Sequence, residues 1–202
     1  MTTMRIMAVA SFCAATAVLA GCDRAGSAKE PSQTETATTR PSLAVSVAPP
    51  PAQVSTGRTD VKHDPCSELP DAAVSSAGFD PSTRARADQI HDSYAFIGCT
   101  FAHKEQIRGQ LLTTSNLTVS STNITLDEFR AREGANARAI KINGRDAITY
   151  QKNNAEACYI TMTGPDGTID VGKSVNGAFT NEPPCQRIDE IAKTIEESLN
   201  GK

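Results

Sequence analysis

The chain has 202 residues and a formal charge of −3, with no Trp, three Tyr and six Phe. Its Lys and Arg are interleaved with Asp and Glu along the whole length, so it lacks the clustered cations that hold a phosphate backbone, and nucleic acid is excluded as a partner. So few aromatic rings leave the core to Ile, Val, Leu and Ala, and they argue against strong carbohydrate-stacking surfaces.

The amino terminus carries one charge, Arg5, before an apolar run from Ile6 to Ala20 that closes on Leu19-Ala20-Gly21-Cys22. As a helix the run reaches about 22 Å, short of the roughly 30 Å hydrocarbon core, so residues 1–21 are predicted to be a cleaved signal peptide rather than a span. Small residues followed directly by Cys form the bacterial lipobox, in which the thiol of Cys22 receives diacylglycerol before the signal is removed. Each buried acyl CH₂ is worth about 0.8 kcal/mol, so two or three chains hold the mature protein to the membrane. The expected location is the extracytoplasmic side of the cell membrane. Removing residues 1–21, whose one charge is Arg5, leaves a mature charge of −4, and Cys13 is discarded with the signal.

Residues 22–61 are rich in Ala, Ser, Thr and Pro, include Pro49-Pro50-Pro51, and contain no aromatic residue. Such a segment buries too little apolar surface to offset its ordering entropy, and it is predicted to be a disordered, lipid-anchored stalk with a span of about 35 Å or more.

Residues 62–202 are predicted to form one globular domain. Pro70 and Ala72-Ala73-Val74 predict a short helix that Gly78 ends. Tyr94, Phe96, Ile97 and Phe101 predict a strand around Cys99, and Leu111 to Val119 a second. Thr125 and Glu128 form a capping box, with Leu126 and Phe129 on the inner face of the helix that follows. Asn143-Gly144 predicts a tight type I′ hairpin between Ile140-Lys141-Ile142 and Ala147-Ile148-Thr149-Tyr150. A second hairpin runs from Tyr159–Thr163 through Gly164-Pro165-Asp166-Gly167 to Thr168–Val171. Ile188, Ile191, Ala192, Ile195 and Leu199 recur at helical spacing and predict an amphipathic terminal helix. A helix with one apolar stripe needs a sheet beneath it. The predicted class is therefore α+β, an antiparallel sheet with helices packed on one face.

Cys66, Cys99, Cys158 and Cys185 remain in the domain. An even count in an exported chain predicts two disulfides, and of the three possible pairings the sequential one, Cys66 with Cys99 and Cys158 with Cys185, is expected. Loops of this length give each bridge about 3.5–4 kcal/mol in the chain-entropy model. No Cys-x-x-Cys spacing supports a zinc or dithiol site.

Asp64-Pro65-Cys66 before a short helix, Cys99 with Phe101, Ile142-Asn143-Gly144-Arg145 with Ala147, and a Cys158 strand followed by a Cys-initiated helix resemble the actinobacterial lipoprotein family with domain of unknown function 3558. The resemblance covers roughly residues 62–200. Where many members carry an aromatic pair near the second cysteine, this chain has Thr100 and Phe101. The resemblance implies lipid anchoring in the cell envelope and no established activity.

Gly167-x₄-Gly172-Lys173-Ser174 satisfies the phosphate-loop expression, but Thr168–Val171 reads as strand and no helix signal follows, so nucleotide is not an expected partner. Asp166 and Asp170 lack the intervening ligands of a calcium loop and read as a solvated hairpin. Asn116-Leu117-Thr118 and Asn123-Ile124-Thr125 match the glycosylation acceptor but read as strand and cap residues. His63, His91 and His103 lack metal spacing, and there is no Gly-x-Ser-x-Gly elbow. No catalytic residue, cofactor or metal is expected. The sequence reading is a non-enzymatic binding or accessory scaffold module for an envelope ligand or protein; the alternative is an envelope hydrolase or transferase with a Ser or Asp beside His91 or His103.

Overall fold

The computed structural model describes residues 43–152 and 156–200, all within a unit spanning Thr39–Lys202. The expected signal peptide, Cys22 and the first part of the expected stalk lie outside the described residues.

Asp64 caps the one-turn helix α1 (Pro65–Glu68) by accepting the Cys66 N–H at 3.0 Å, with Pro at the first turn where no N–H is needed. The chain restarts as α2 (Asp71–Ser76) and leaves it through Gly78 at φ +93°, a left-handed conformation that suits Gly. The strands are β1 (Asp80–Arg86), β2 (Gln89–Ile90), β3 (Ala95–Ile107), β4 (Gln110–Thr122), β5 (Arg138–Ile142), β6 (Arg145–Gln151), β7 (Ala157–Thr163) and β8 (Thr168–Val175). Helix α3 (Leu126–Glu133) separates β4 from β5, and α4 (Ile188–Asn200) comes last. Among the described residues they form one sheet in the order β1-β3-β4-β8-β7-β6-β5, with β2 paired to β3, and every pairing is antiparallel.

One face of this sheet is the main core. Alternation places Cys99 and Phe101, Leu117 and Val119, Cys158, Ile160 and Met162, and Ile169 and Val171 on it, together with Leu69, which ends α1, and Val74, Ile188, Ile191 and Ile195 from α2 and α4. Removing Ile191 and Ile195 from water is worth roughly 1.5–3 kcal/mol each. The bridges are Cys66–Cys99 and Cys158–Cys185, with Cα separations of 4.7 and 5.0 Å, so the first ties α1 to β3 and the second ties β7 to the approach to α4. Both covering layers are thus stapled to the same face. The buried guanidinium of Arg84 adds a polar clamp, donating to the carbonyls of Cys66 and Leu69 at 3.0 and 2.9 Å and to Asp71 at 2.6 Å. Buried Glu196 of α4 is held by Arg145 at 2.9 Å and Asn143 at 3.0 Å.

The single-face expectation for the helices fails at α3. Its Phe129, fully buried, packs with Ile148, Tyr150, Tyr94 and Phe96 in a second cluster on the opposite face. The cause is in β6, where adjacent Ala147 and Ile148 are both buried and so make the strand apolar on both sides. One end of the second face therefore needs its own cover.

Segment 43–61 is a second difference. It falls in the expected stalk, yet Val47 packs on the main core, Ser55 and Val61 are buried, and Thr56 N–H reaches the Asp92 carbonyl at 2.8 Å. Arg58 donates to the Asn123 carbonyl at 2.9 Å and pairs with Glu128, whose carboxyl it holds down near about 2 through hydrogen bonding. This extended segment is fixed by hydrogen bonds to the domain edge, which hydrophobic periodicity does not reveal. Asn123 is likewise structural, since its amide bonds Ala95, Ser55 and Thr59 at 3.1, 3.3 and 2.9 Å.

The capping box is present: Thr125 Oγ1 accepts the Glu128 N–H at 3.3 Å and Glu128 accepts the Thr125 N–H at 2.8 Å. Thr125→Ala is expected to cost about 1 kcal/mol, read as a lower midpoint in urea, whereas Thr125→Ser keeps the wild-type midpoint.

Candidate functional site

Helix α3 covers only part of the second face, and the remainder is a cleft of about 310 Å³. Its floor follows from strand register. On β8, Ile169 and Val171 point into the core, so Asp170 and Gly172 point the other way. Asp170 lies opposite Ser120 of β4 and Thr161 of β7, and Gly172 lies opposite Thr118 and Tyr159. Two glycines make room there. A Cβ on Gly172 would sit 3.0 Å from the Tyr159 ring, and one on Gly98 would sit 2.4 Å from Ser120 Oγ. The floor is therefore narrow in side-chain bulk and rich in hydroxyl and carboxylate oxygen.

Rings form its wall. His91 stacks near Tyr94 at 4.4 Å between centroids, Tyr94 meets Phe96 edge-on at 6.0 Å, and Phe96 meets Phe129 edge-on at 6.3 Å. Phe129 contacts Tyr150 at 6.5 Å, and Tyr150 stacks on Tyr159 at 5.1 Å with planes 13° apart. Each such contact adds about 0.5–1.5 kcal/mol beyond burial. All three tyrosines of the chain line this one cleft. The aromatic residues are few, but the sheet gathers them into one place.

Asp170 is the most perturbed carboxylate of the site. Burial pushes its pKa up to about 6, against the hydroxyl of Thr161, which donates to it, and the positive charges of Arg132 and Lys152 at the rim, all of which favour the ionised form. The Tyr150 hydroxyl donates to it at 3.5 Å, and burial together with the nearby Asp170 charge raises the pKa of Tyr150 and of Tyr159. The sequence reading of Asp170 as part of a solvated hairpin is therefore corrected. Asp166 does sit at the hairpin tip, where it accepts the N–H groups of Lys62 and His63 at 2.9 and 2.8 Å and pins the incoming segment.

The other candidate residues are dispersed. His103 bonds the Gly78 carbonyl at 2.8 Å, and His63 faces Glu68 at 3.4 Å, both away from the cleft. His91, Ser120 and Asp170 do line one cleft, but among the described residues no hydrogen bond joins His91 to either, and Thr161 and Tyr150 engage Oδ1 of the Asp170 carboxylate. Through the phosphate-loop motif the chain is strand, and Lys173 is buried on the core side, donating to Glu182 at 2.6 Å and to the Gln186 carbonyl at 3.0 Å. No group of His, Cys, Asp and Glu converges as metal ligands among the described residues. A second hollow, lined by His63, Glu68, Arg145 and Leu199, is less suited to binding because its charges face one another or Glu196.

These features define a class, a disulfide-braced antiparallel α+β domain whose second sheet face holds an open aromatic cleft over a half-buried carboxylate. A family model described as "Protein of unknown function (DUF3558)" matches residues 17–198, and the chain belongs to that family. No curated protein and no solved structure matches it.

An unfolded Asp ionises near about 4, whereas folded Asp170 keeps its proton to about 6. Between those values the folded state binds more protons than the unfolded state, so stability falls as pH rises through the window and the loss is complete above it. Asp170→Asn is expected to remove that fall. Because solvent reaches part of the cleft, the gain at pH 8 is on the order of 1–2 kcal/mol, with little difference at pH 4, measured by urea unfolding at the two values.

Proposed function

We propose that this chain is an actinobacterial envelope lipoprotein, anchored by lipid on Cys22 to the extracytoplasmic side of the cell membrane, whose domain is a non-enzymatic binding module. The lipobox sequence ending at Cys22 supports the anchor, and the resemblance to actinobacterial lipoproteins agrees with it. The cleft supports the binding role. Its single most telling feature is Asp170, a carboxylate on the cleft floor held where burial opposes its charge and, among the described residues, only its Oδ1 is engaged, by Thr161 and Tyr150. A perturbed carboxylate facing a cleft is a candidate ligand group. An aromatic-walled concavity with a few convergent polar groups is the usual form of a small-molecule site. A lipid tether on Cys22 adds to the function by raising the effective concentration of the domain at the membrane.

The hydrolase or transferase alternative rests on His91, Ser120 and Asp170 sharing the cleft. It needs a base in hydrogen-bonding reach of a nucleophile, and the binding reading does not.

Two outcomes test the proposal. Labelled palmitate is expected to enter the full chain in an actinobacterial host and to be absent from Cys22→Ala; equal labelling of the two contradicts the anchor. The chain has no Trp and all its Tyr line the cleft, so intrinsic tyrosine emission reports on this site. Titration with a small-molecule extract of the host envelope is expected to change that emission saturably, and Thr118→Leu, which fills the floor beside Gly172, is expected to abolish the change. An emission that stays flat in the wild-type chain, or responds equally in Thr118→Leu, contradicts the site.

A further inference from the structure

We propose that the cleft takes an anionic sugar, a pyranose ring carrying a phosphate or carboxylate substituent, with its apolar C–H face toward the ring wall and its hydroxyls toward the floor. The inference rests on the cleft being a binding site, as proposed above, and specifies its ligand.

The volume sets the scale. About 310 Å³ is at the small end of ligand pockets, room for a single ring with its substituents. Partly exposed Tyr94, Phe96 and Tyr159 give the cleft flat apolar surface, and buried Tyr150 backs Tyr159 as a rigid stacked pair. Rings held in this way stack at little entropic cost.

The floor then separates classes of ring. It presents the Asp170 carboxylate and the hydroxyls of Ser120 and Thr118, with the Gln89 amide at the edge. A planar aromatic ring without polar substituents would take these groups from water and return no hydrogen bonds, at a cost of about 1–3 kcal/mol for each group stranded. A polyhydroxylated ring has an apolar face for the tyrosines and donors and acceptors around its edge for the floor. It satisfies both surfaces at once.

The rim decides the charge. Aromatic rings over a carboxylate also suit an organic cation, but here the cation positions are already filled. Lys152 lies over the Tyr159 ring at 5.5 Å and Arg132 over the Phe129 ring at 4.3 Å. Arg132 is paired with Glu133 at 3.0 Å, whereas Lys152 has no carboxylate in salt-bridge range among the described residues. A cationic ligand would meet both charges on entering. A negatively charged substituent would gain from the ammonium of Lys152 and from the exposed guanidinium edge of Arg132.

The test uses the full chain and its tyrosine emission, titrated separately with glucose 1-phosphate, glucuronate, glucose, inorganic phosphate, benzoate and choline. Saturable binding of glucose 1-phosphate or glucuronate is expected, with glucose at least 10-fold weaker and inorganic phosphate without effect on the rings. The double variant Arg132→Gln, Lys152→Gln, with its fold checked by circular dichroism, is expected to lower affinity for the charged sugars to that for glucose. Choline or benzoate binding more tightly than every sugar overturns this inference while leaving the cleft as a binding site. Binding of the charged sugars unaltered in the double variant overturns the assignment of their charge. Response to none of the six probes overturns the inference, and the extract titration above then decides the fate of the site itself.

Discussion

The two-residue alternation of β8 is the constraint on which the rest of this structure depends. Ile169 and Val171 are directed into the main core, so Asp170 and Gly172 must emerge on the other side, and a shift of one residue would exchange the two sets. Full burial of the apolar pair fixes the register. The same burial drives a carboxylate onto the second face, between Ser120 and Thr161, at a position no surface loop would impose. The core thus supplies the force that holds the polar floor in place.

The disulfides complete the division of labour. Cys66–Cys99 and Cys158–Cys185 bring their covering elements to the core face, which is closed by α1, α2 and α4. Among the described residues only α3 crosses to the other face, and it is short. Its Phe129 joins the rings of Phe96 and Tyr150 and leaves the surface beyond them open. A domain so small gains much of its stability from one face and can leave the other available for binding.

The sequence made the covered face more legible than the open one. Asn143 and Gly144, at φ +48° and +87°, form the tight turn their identities demand, Thr125 and Glu128 form their reciprocal cap, and the spacing of Ile188, Ile191 and Ile195 marks the buried stripe of α4. Those are local signals. Strand β1 escaped notice because Asp80-Pro81-Ser82-Thr83-Arg84-Ala85-Arg86 has no apolar alternation; its arginines are instead neutralised by Asp71, Asp64 and Asp88 brought from elsewhere. The segment 43–61 escaped for the same reason. The cleft was less visible still. Tyr94, Tyr150 and Tyr159 come from three different parts of the chain, and only the order β3-β4-β8-β7-β6 sets the rings around Asp170. The one available hint was the pair Asp170 and Gly172 among β-branched neighbours, an acid and a glycine in a strand where apolar and β-branched residues are the norm.

Asp170 is held beneath the tyrosine wall in a site that penalises its charge. Carboxyl carbon NMR of the full chain, selectively labelled at aspartate and with Asp170→Asn identifying the signal, measures this directly. The account requires a midpoint of about 6, with the ring signals of Tyr150 and Tyr159 moving at the same pH. A midpoint in the ordinary aspartate range, near about 4, with tyrosine signals indifferent to it, would contradict the account.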